Sequence, residues 1–237
     1  MDQLLVALDV DTAAAARGLA DQLRGVVGGF KIGSRLFTSH GPGIVEELAG
    51  RGDRVFLDLK FHDIPNVVGS AVAAATRIGA WMLTIHASGG SAMMRAAREA
   101  ADQEAAGMSR RAPLVVAVTV LTSFSRDTLA EIGTAGGVVE QVERLAALAQ
   151  ASGLDGVVAS PQEIASVRAR CGPSFAIVTP GIRGPSDPKG DQQRTLTAGQ
   201  ALAAGASYLV VGRPIIGAAD PRSAAEQIVG ECSARTR

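Results

Sequence analysis

The nine residues LDLKFHDIP, at positions 57–65, place charged groups at the end of an apolar run. Asp58 and Lys60 are two residues apart, so on a strand both point to the same side, roughly 6–7 Å apart. Each charge can then neutralise the other, which lowers the cost of burying them. Such a pair suits proton transfer, because an ammonium group can give up a proton. Asp63, three residues further on, either belongs to the same site or caps the helix that follows.

Lysine is scarce in this chain. Of 23 lysine and arginine residues, only Lys31, Lys60 and Lys189 are lysine. Arginine therefore serves the ordinary surface positions, and a remaining lysine indicates a need for a compact ammonium that can lose a proton, which guanidinium does not do. We apply this interpretation to Lys31 and Lys60, whereas chance is the simpler explanation for Lys189 in a polar loop.

Eight short apolar runs alternate with alanine-rich stretches of helical period. The predicted strands are 4–9, 29–33, 54–60, 82–87, 114–121, 156–160, 175–180 and 208–212. The predicted helices lie near 12–26, 41–50, 64–79, 90–106, 137–151, 161–170, 195–204 and 221–234. No linker or change of composition interrupts the pattern, which predicts one α/β domain over residues 1–237 with an all-parallel sheet. Eight units in this length favour a single (β/α)8 TIM barrel over an open doubly wound sheet.

In a barrel of this kind, catalytic groups project from the C-terminal ends of the strands. Seven of the eight predicted units carry polar groups there, in the segments VALD, GFKIG, LDLKF, TIHASGG, VLTS, TPGIRG and VGRP. Helix capping explains one such residue but not the same placement in seven units. His86, in the fourth of these segments, is a catalytic acid, a metal ligand or a satisfied core group. His40 and His62 have no partners in the sequence, and we assign them no role.

The segment VVGRP, at positions 210–214, is predicted to run from a strand into a helix start. Backbone N–H groups at such a point bind anions, Gly212 permits close approach, and Arg213 can fork onto a phosphate. The Gly/Pro-rich loop 179–194 lies nearby in such a barrel and is long enough to close over a ligand, unless it is simply a mobile surface excursion. These features predict a phosphate site after the last two strands.

Composition excludes several other classes of protein. Formal net charge is zero, which gives no electrostatic footprint for nucleic acid and no basic patch for a membrane surface. The longest apolar runs are too short to span a bilayer, and no signal peptide is visible. Cys171 and Cys232 are predicted to be free thiols in a reducing cytoplasm. No set of His, Cys or carboxylate residues has metal-ligand spacing.

Taken with its neighbours, LDLKFHDIPN resembles the signature of the orotidine 5′-phosphate decarboxylase family. The resemblance extends over essentially the whole chain, through VALD, DLKFHDIPN, HASGG, VTVLTS, GLDGVVAS, VTPGIR, GDQQR and VGRPI in the family's order. The core pattern Asp-x-Lys-x-x-Asp is shared with a wider group of phosphosugar barrels, whereas the complete set is much more specific. The resemblance implies decarboxylation of orotidine 5′-phosphate to UMP in pyrimidine biosynthesis, without a metal or organic cofactor.

The resemblance also implies roles for individual residues. Asp58, Lys60 and Asp63 fall on the family's catalytic charged positions, and Lys31 joins them in an alternating array. Asp63 is expected to act across a homodimer interface. The substrate-binding residues implied are Asp9 and Lys31 at the ribose, Thr122 at the pyrimidine, Gln192, Gly212 and Arg213 at the phosphate, Arg183 at the base of the closing loop, and Ile64, Val67 and Pro180 around the nucleotide.

One position departs from the family pattern. The family usually continues DIPNT, with a threonine that touches the ribose or phosphate end of the substrate, and this chain has Val67 there. Valine has no hydroxyl, so we expect a missing contact and weaker nucleotide binding, but not a lost reaction.

Two alternatives share some of these features. A metal-dependent decarboxylase or epimerase acting on a sugar phosphate has the same barrel and Asp-x-Lys-x-x-Asp core, but needs additional carboxylates where this chain offers Lys31. A non-catalytic phosphate-binding barrel is the second alternative, and it leaves the pair of Asp58 and Lys60 unexplained. Activity that is insensitive to EDTA would argue against the metal-dependent alternative. Turnover of the bound nucleotide would argue against the non-catalytic alternative.

Overall fold

The computed structural model describes residues 1–182 and 196–233. Eight parallel strands form a closed barrel in chain order, with the last strand bonded to the first, which confirms the predicted TIM barrel. The strands are β1 (Leu4–Ala7), β2 (Gly29–Gly33), β3 (Val55–Phe61), β4 (Met82–His86), β5 (Leu114–Val118), β6 (Gly156–Val158), β7 (Ala176–Thr179) and β8 (Tyr208–Val211). The helices are α1 (Ala13–Leu23), α2 (Ser34–His40), α3 (Gly43–Gly50), α4 (Pro65–Arg77), α5 (Gly90–Gly107), α6 (Arg126–Glu131), α7 (Val138–Ala151), α8 (Ile164–Cys171), α9 (Ala198–Ala203), α10 (Arg213–Ile216) and α11 (Pro221–Ser233).

The strands are nearly continuous apolar runs because both of their faces are covered. Side chains on one face fill the barrel interior, and they come from most strands in turn: Leu5, Ala7, Phe56, Met82, Val116, Val178 and Val210. Side chains on the other face pack against the surrounding helices in a larger apolar layer. This packed interior leaves the C-terminal ends of the strands as the place where polar groups can gather.

Of the short helix α10 only the start was predicted, in VVGRP, and two other short helices, α2 and α6, were not predicted at all. Each has a single buried side chain, Leu36 in α2 and Leu129 in α6. A period of 3.6 residues cannot be recognised from one apolar position, so the sequence pattern predicted connecting loops for both segments. In α6 the local signal is the cap, since Ser125 Oγ accepts the N–H of Thr128 at 3.2 Å.

No helix in the described part of the chain is long and apolar enough to cross a membrane. Cys171 and Cys232 are buried free thiols, as predicted. Burial raises the pKa of both thiols, which makes each a weak nucleophile.

Candidate active site

Four charged side chains form an alternating row at the C-terminal ends of β1, β2 and β3. Lys31 Nζ lies 3.2 Å from Asp9 Oδ1 and 3.7 Å from Asp58 Oδ2. On the other side of that carboxylate, Lys60 Nζ lies 2.9 Å from the same Oδ2 atom. The structure therefore brings together four residues that are up to 51 positions apart (from Asp9 to Lys60), with charges that alternate along the row.

Asp58 is the most enclosed carboxylate of the row, with its side chain 13% exposed. Burial alone would raise its pKa, but the positive charges of Lys31 and Lys60 outweigh burial, and hydrogen bonds from Lys60 and Thr84 act in the same direction. The net effect is a pKa below the usual range for aspartate, so Asp58 is an anion at neutral pH. A fixed buried anion beside a lysine can repel an anionic ligand group and orient the ammonium.

A cavity of about 190 Å³ lies against this row at the C-terminal end of the barrel. Its charged side is formed by Lys31, Asp58 and Lys60, and its other side is mainly apolar and comes from the last four strands and their ends. The lining there is Val118, Val120, Leu121, Thr122, Val158, Val178, Pro180 and Val210, with Phe56 at the floor. Pockets that enclose a whole drug-sized ligand hold about 300–1,000 Å³, so this cavity fits one end of a larger molecule, such as a planar ring.

Two of the predicted substrate-binding residues, Thr122 and Pro180, thus line the same cavity as the charged row. Asp9 is bonded to Lys31 and has a side chain 48% exposed, so part of its carboxylate remains accessible. Gly212 and Arg213 follow β8 directly, where Arg213 is exposed and begins α10. The predicted residues Arg183 and Gln192 lie outside the described residues.

Asp63 and its neighbours lie apart from this cavity. Asp63 is exposed, and its Oδ1 accepts the N–H of Ile64 at 2.6 Å, just before α4. Asp63 forms no ion pair with any residue in the ranges 1–182 and 196–233. Ile64 and Val67 are 63% and 45% exposed, and they are two of the four exposed large apolar side chains in the described part of the chain. The structure of one subunit therefore does not bring Asp63, Ile64 and Val67 to the charged row.

Two histidines stack beside the row. The rings of His62 and His86 have centroids 5.3 Å apart and planes tilted by 32°. Burial lowers the pKa of His86, as do the charges of His62 and Lys60, while Asp58 partly opposes them. His40 lies elsewhere, with Nε2 3.0 Å from the backbone oxygen of Asp11. Across the residues that the structure describes, no group of three His, Cys, Asp or Glu side chains is placed to hold a metal ion.

Two residues of the site were missed by sequence reasoning. A Cβ atom on Gly33 would lie 2.9 Å from Lys31 Nζ and 3.3 Å from Asp9 Oδ1, so glycine leaves room for that ion pair. Thr84 Oγ1 donates to Asp58 Oδ1 at 3.0 Å and accepts the backbone N–H of Lys60 at 2.8 Å. The available signal for Thr84 was its position in the strand MLTIH. Because side chains alternate between the two faces of a strand, Thr84 lies on the same face as Met82 and His86.

Comparisons with known proteins agree over almost the whole chain. A family model described as "Orotidine 5'-phosphate decarboxylase / HUMPS family" matches residues 2–228. The orotidine 5′-phosphate decarboxylase of Moorella thermoacetica is 52% identical over 231 residues, which span 97% of this chain and 92% of that protein. The enzyme of the same name from Syntrophotalea carbinolica is 50% identical over 232 residues, spanning 98% and 95%. Among solved structures, orotidine 5′-phosphate decarboxylase from Lactobacillus acidophilus matches with a TM-score of 0.86 at 37% identity, over 98% of this chain and 99% of that one.

Proposed function

The chain belongs to the orotidine 5′-phosphate decarboxylase/HUMPS family, and we propose that it converts orotidine 5′-phosphate to UMP and CO2 in pyrimidine biosynthesis. The observation that carries this proposal is the 2.9 Å pair of Lys60 Nζ and Asp58 Oδ2 at the wall of a ring-sized cavity. Enclosing two charges costs free energy that their pairing only offsets, so a chemical role explains this pair better than a contribution to stability does.

The reaction needs an acid at one carbon atom. When the bond from C6 to the carboxylate carbon breaks, CO2 leaves and the electron pair stays on C6, because the pyrimidine has no adjacent electron sink. Lys60 lines the cavity, and its ammonium beside C6 would stabilise this charge and then transfer a proton to it. Solvent returns the proton to the Lys60 amine afterwards, which closes the cycle without a cofactor.

Asp58 acts on the other partner of the breaking bond. Its low pKa keeps it anionic, so it faces the substrate carboxylate as a like charge. The repulsion is present in the bound substrate and disappears as neutral CO2 forms, which favours the transition state over the ground state. Asp58 also holds the Lys60 ammonium at 2.9 Å, so the acid is in position when the bond breaks.

Nucleotide binding is assigned to groups around this centre. Asp9 and Lys31 would bind the ribose hydroxyls, since their paired side chains present both an acceptor and a donor. Thr122 and Pro180 would contact the pyrimidine, while Gly212 and Arg213 bind the phosphate together with Gln192 and Arg183. Phosphate binding far from C6 can supply energy for loop closure and for excluding water from the charged row.

We further propose that a homodimer completes the site. Asp63, Ile64 and Val67 form an exposed patch at the start of α4, partly apolar and beside a groove between α4 and α5. Exposed apolar patches of this kind mark interaction surfaces. In a symmetric dimer the same patch meets its own copy, so Asp63 of each subunit can reach the other subunit's charged row.

Residues 1–237 act as one catalytic domain, and the buried thiols of Cys171 and Cys232 suit a reducing cytoplasm. Nucleic acid and membranes are not partners. The rival metal-dependent barrel on a sugar phosphate fits the row less well, because a divalent cation would prefer a carboxylate where Lys31 stands.

Product identification tests the proposal. Purified protein is incubated with orotidine 5′-phosphate in EDTA, and in parallel with a keto-acid sugar phosphate and Mg²⁺, and the products are separated by chromatography. The proposal expects UMP and CO2 in equal amounts from the first mixture and no conversion in the second. Conversion of the sugar phosphate alone would replace this proposal with the metal-dependent one.

A further inference from the structure

The strand that carries Asp58 and Lys60 is irregular where the two residues lie. In the pairing of β3 with β4, Leu57 is opposite Leu83, but Phe61 is opposite Ile85. Three residues of β3, 58–60, therefore face a single residue of β4, which is Thr84. A bulge of this kind removes backbone groups from the ladder and redirects side chains, and bulges are frequent next to active sites.

Lys60 has an unusual backbone conformation within this bulge. Its φ is +54°, one of two positive values among the non-glycine residues that the structure describes. A lysine in the left-handed region costs of order 1–2 kcal/mol and persists only where surrounding contacts enforce it. Its N–H group has also left the regular ladder, and a buried N–H without an acceptor is rare in folded proteins.

The Thr84 hydroxyl meets both requirements. It accepts the N–H of Lys60 at 2.8 Å and donates to Asp58 Oδ1 at 3.0 Å, so one hydroxyl uses its donor and an acceptor site at once. The other carboxylate oxygen of Asp58 accepts from Lys60 Nζ at 2.9 Å. Backbone and side chain of Lys60 are thus joined through Thr84 and Asp58 in a closed ring of hydrogen bonds.

Thr84 is placed to act through these neighbours and not on a ligand. Its relative exposure is 0%, and it is absent from the lining of the 190 Å³ cavity. We propose that Thr84 is a positioning residue, whose hydroxyl holds the bulged backbone of Lys60 and fixes the rotation of the Asp58 carboxylate. This inference rests on the proposed decarboxylation for its catalytic consequence, but the hydrogen-bond ring itself does not depend on the reaction.

A pair of substitutions tests the hydroxyl against the shape of the side chain. Thr84→Val keeps the shape and removes the hydroxyl, whereas Thr84→Ser keeps the hydroxyl and removes a buried methyl group. We expect Thr84→Val to lower kcat about 10- to 100-fold, the range expected for misplaced catalytic groups, with the Kd for UMP changed less than about threefold. Thr84→Ser should retain kcat within about threefold of wild type even though it loses packing.

Two outcomes in the activity data would overturn the inference. These are a wild-type kcat in Thr84→Val, or an equal fall in both variants, which would assign the effect to packing. If wild-type protein does not turn over orotidine 5′-phosphate, the proposed function fails. NMR then tests the ring of hydrogen bonds independently of the reaction. Thr84→Val should raise the pKa of the Asp58 carboxyl and speed hydrogen exchange of the Lys60 amide, and Thr84→Ser should do neither. Unchanged values in Thr84→Val would overturn the positioning role independently of activity.

Discussion

Lys60 Nζ and Asp58 Oδ2 lie 2.9 Å apart on one strand, and Lys31 Nζ lies 3.7 Å from the same oxygen. Two ammonium groups thus share one carboxylate oxygen, which explains how a largely enclosed aspartate stays ionised. We propose that each group has a separate task in decarboxylation: Asp58 opposes the substrate carboxylate and Lys60 supplies the proton.

Asp63 is expected to complete the site of the neighbouring subunit. Lys60→Ala and Asp63→Asn homodimers should each be nearly inactive. Random association of the two co-expressed variants gives mixed dimers in half of the population, and each contains one site with both native residues. Steady-state assays of the mixture should recover about a quarter of wild-type activity per subunit.

The matched control is a mixture of Lys60→Ala with Asp58→Asn. Both residues belong to the same subunit's row, so no mixed dimer restores a complete site, and activity should stay at the level of the separate variants. An equally inactive mixture of Lys60→Ala with Asp63→Asn would show that Asp63 does not act across an interface.

Val67 offers a gain-of-binding prediction. Val67→Thr adds a hydroxyl of nearly the same shape at a half-exposed position. One neutral hydrogen bond contributes about 0.5–1.5 kcal/mol, so KM for orotidine 5′-phosphate should fall about 2- to 10-fold with kcat unchanged. Val67→Ala, which lacks a hydroxyl, should give no such improvement. A KM that does not fall in Val67→Thr would remove Val67 from the substrate site.

Arg213 is expected to contribute binding and not chemistry. Arg213→Ala should raise KM about 10- to 100-fold, because a charged hydrogen bond contributes about 1.5–3 kcal/mol, and kcat should fall much less. Arg213→Lys keeps the charge but loses the planar fork, so its KM should lie between those of wild type and Arg213→Ala. Initial-rate kinetics on the three proteins check this order, and a KM unchanged in Arg213→Ala would contradict the phosphate assignment.

His86 should make stability depend on pH. Burial lowers its pKa below 6.5, so as pH falls the unfolded chain takes up the proton more readily than the folded protein. Well above the pKa that His86 has in the unfolded chain, this residue therefore does not affect the stability of the fold. As the pH falls through that pKa, the stability declines. Urea unfolding between about pH 7.5 and about pH 5 should show a smaller decline for His86→Asn than for wild type. His40→Asn controls for loss of a histidine elsewhere, and identical slopes in wild type and His86→Asn would contradict the prediction.

The fold could be predicted from the sequence because its strands are covered on both faces. Runs such as LVVAV and YLVV are continuous apolar stretches, and β2 has the predicted bounds, Gly29–Gly33. Helices α2 and α6 could not be predicted because each buries one apolar side chain in six or seven residues. Their formation depends on tertiary contacts that a local pattern does not contain.

The charged row could be predicted because polar residues at the ends of seven of the eight predicted strands form a periodic signal. The bulge at Lys60 could not, since alternation in LDLKF assumes a regular strand and says nothing of φ +54°. Thr84 was missed for the same reason, because its role exists only where three residues of β3 face one residue of β4. The proposed contact of Asp63 across a homodimer comes from the family resemblance alone, because neither a pattern within one chain nor the structure of one chain contains a second copy.

The turnover of Lys60→Ala beside wild type, in EDTA, tests the central claim most directly. The ultraviolet absorbance of the pyrimidine reports loss of orotidine 5′-phosphate, and UMP binding to the variant reports an intact fold. The account predicts steady conversion by wild type and no measurable conversion by Lys60→Ala with UMP binding retained. A variant that keeps more than about a tenth of the wild-type kcat, a barrier change under about 1.4 kcal/mol, would contradict Lys60 as the proton donor.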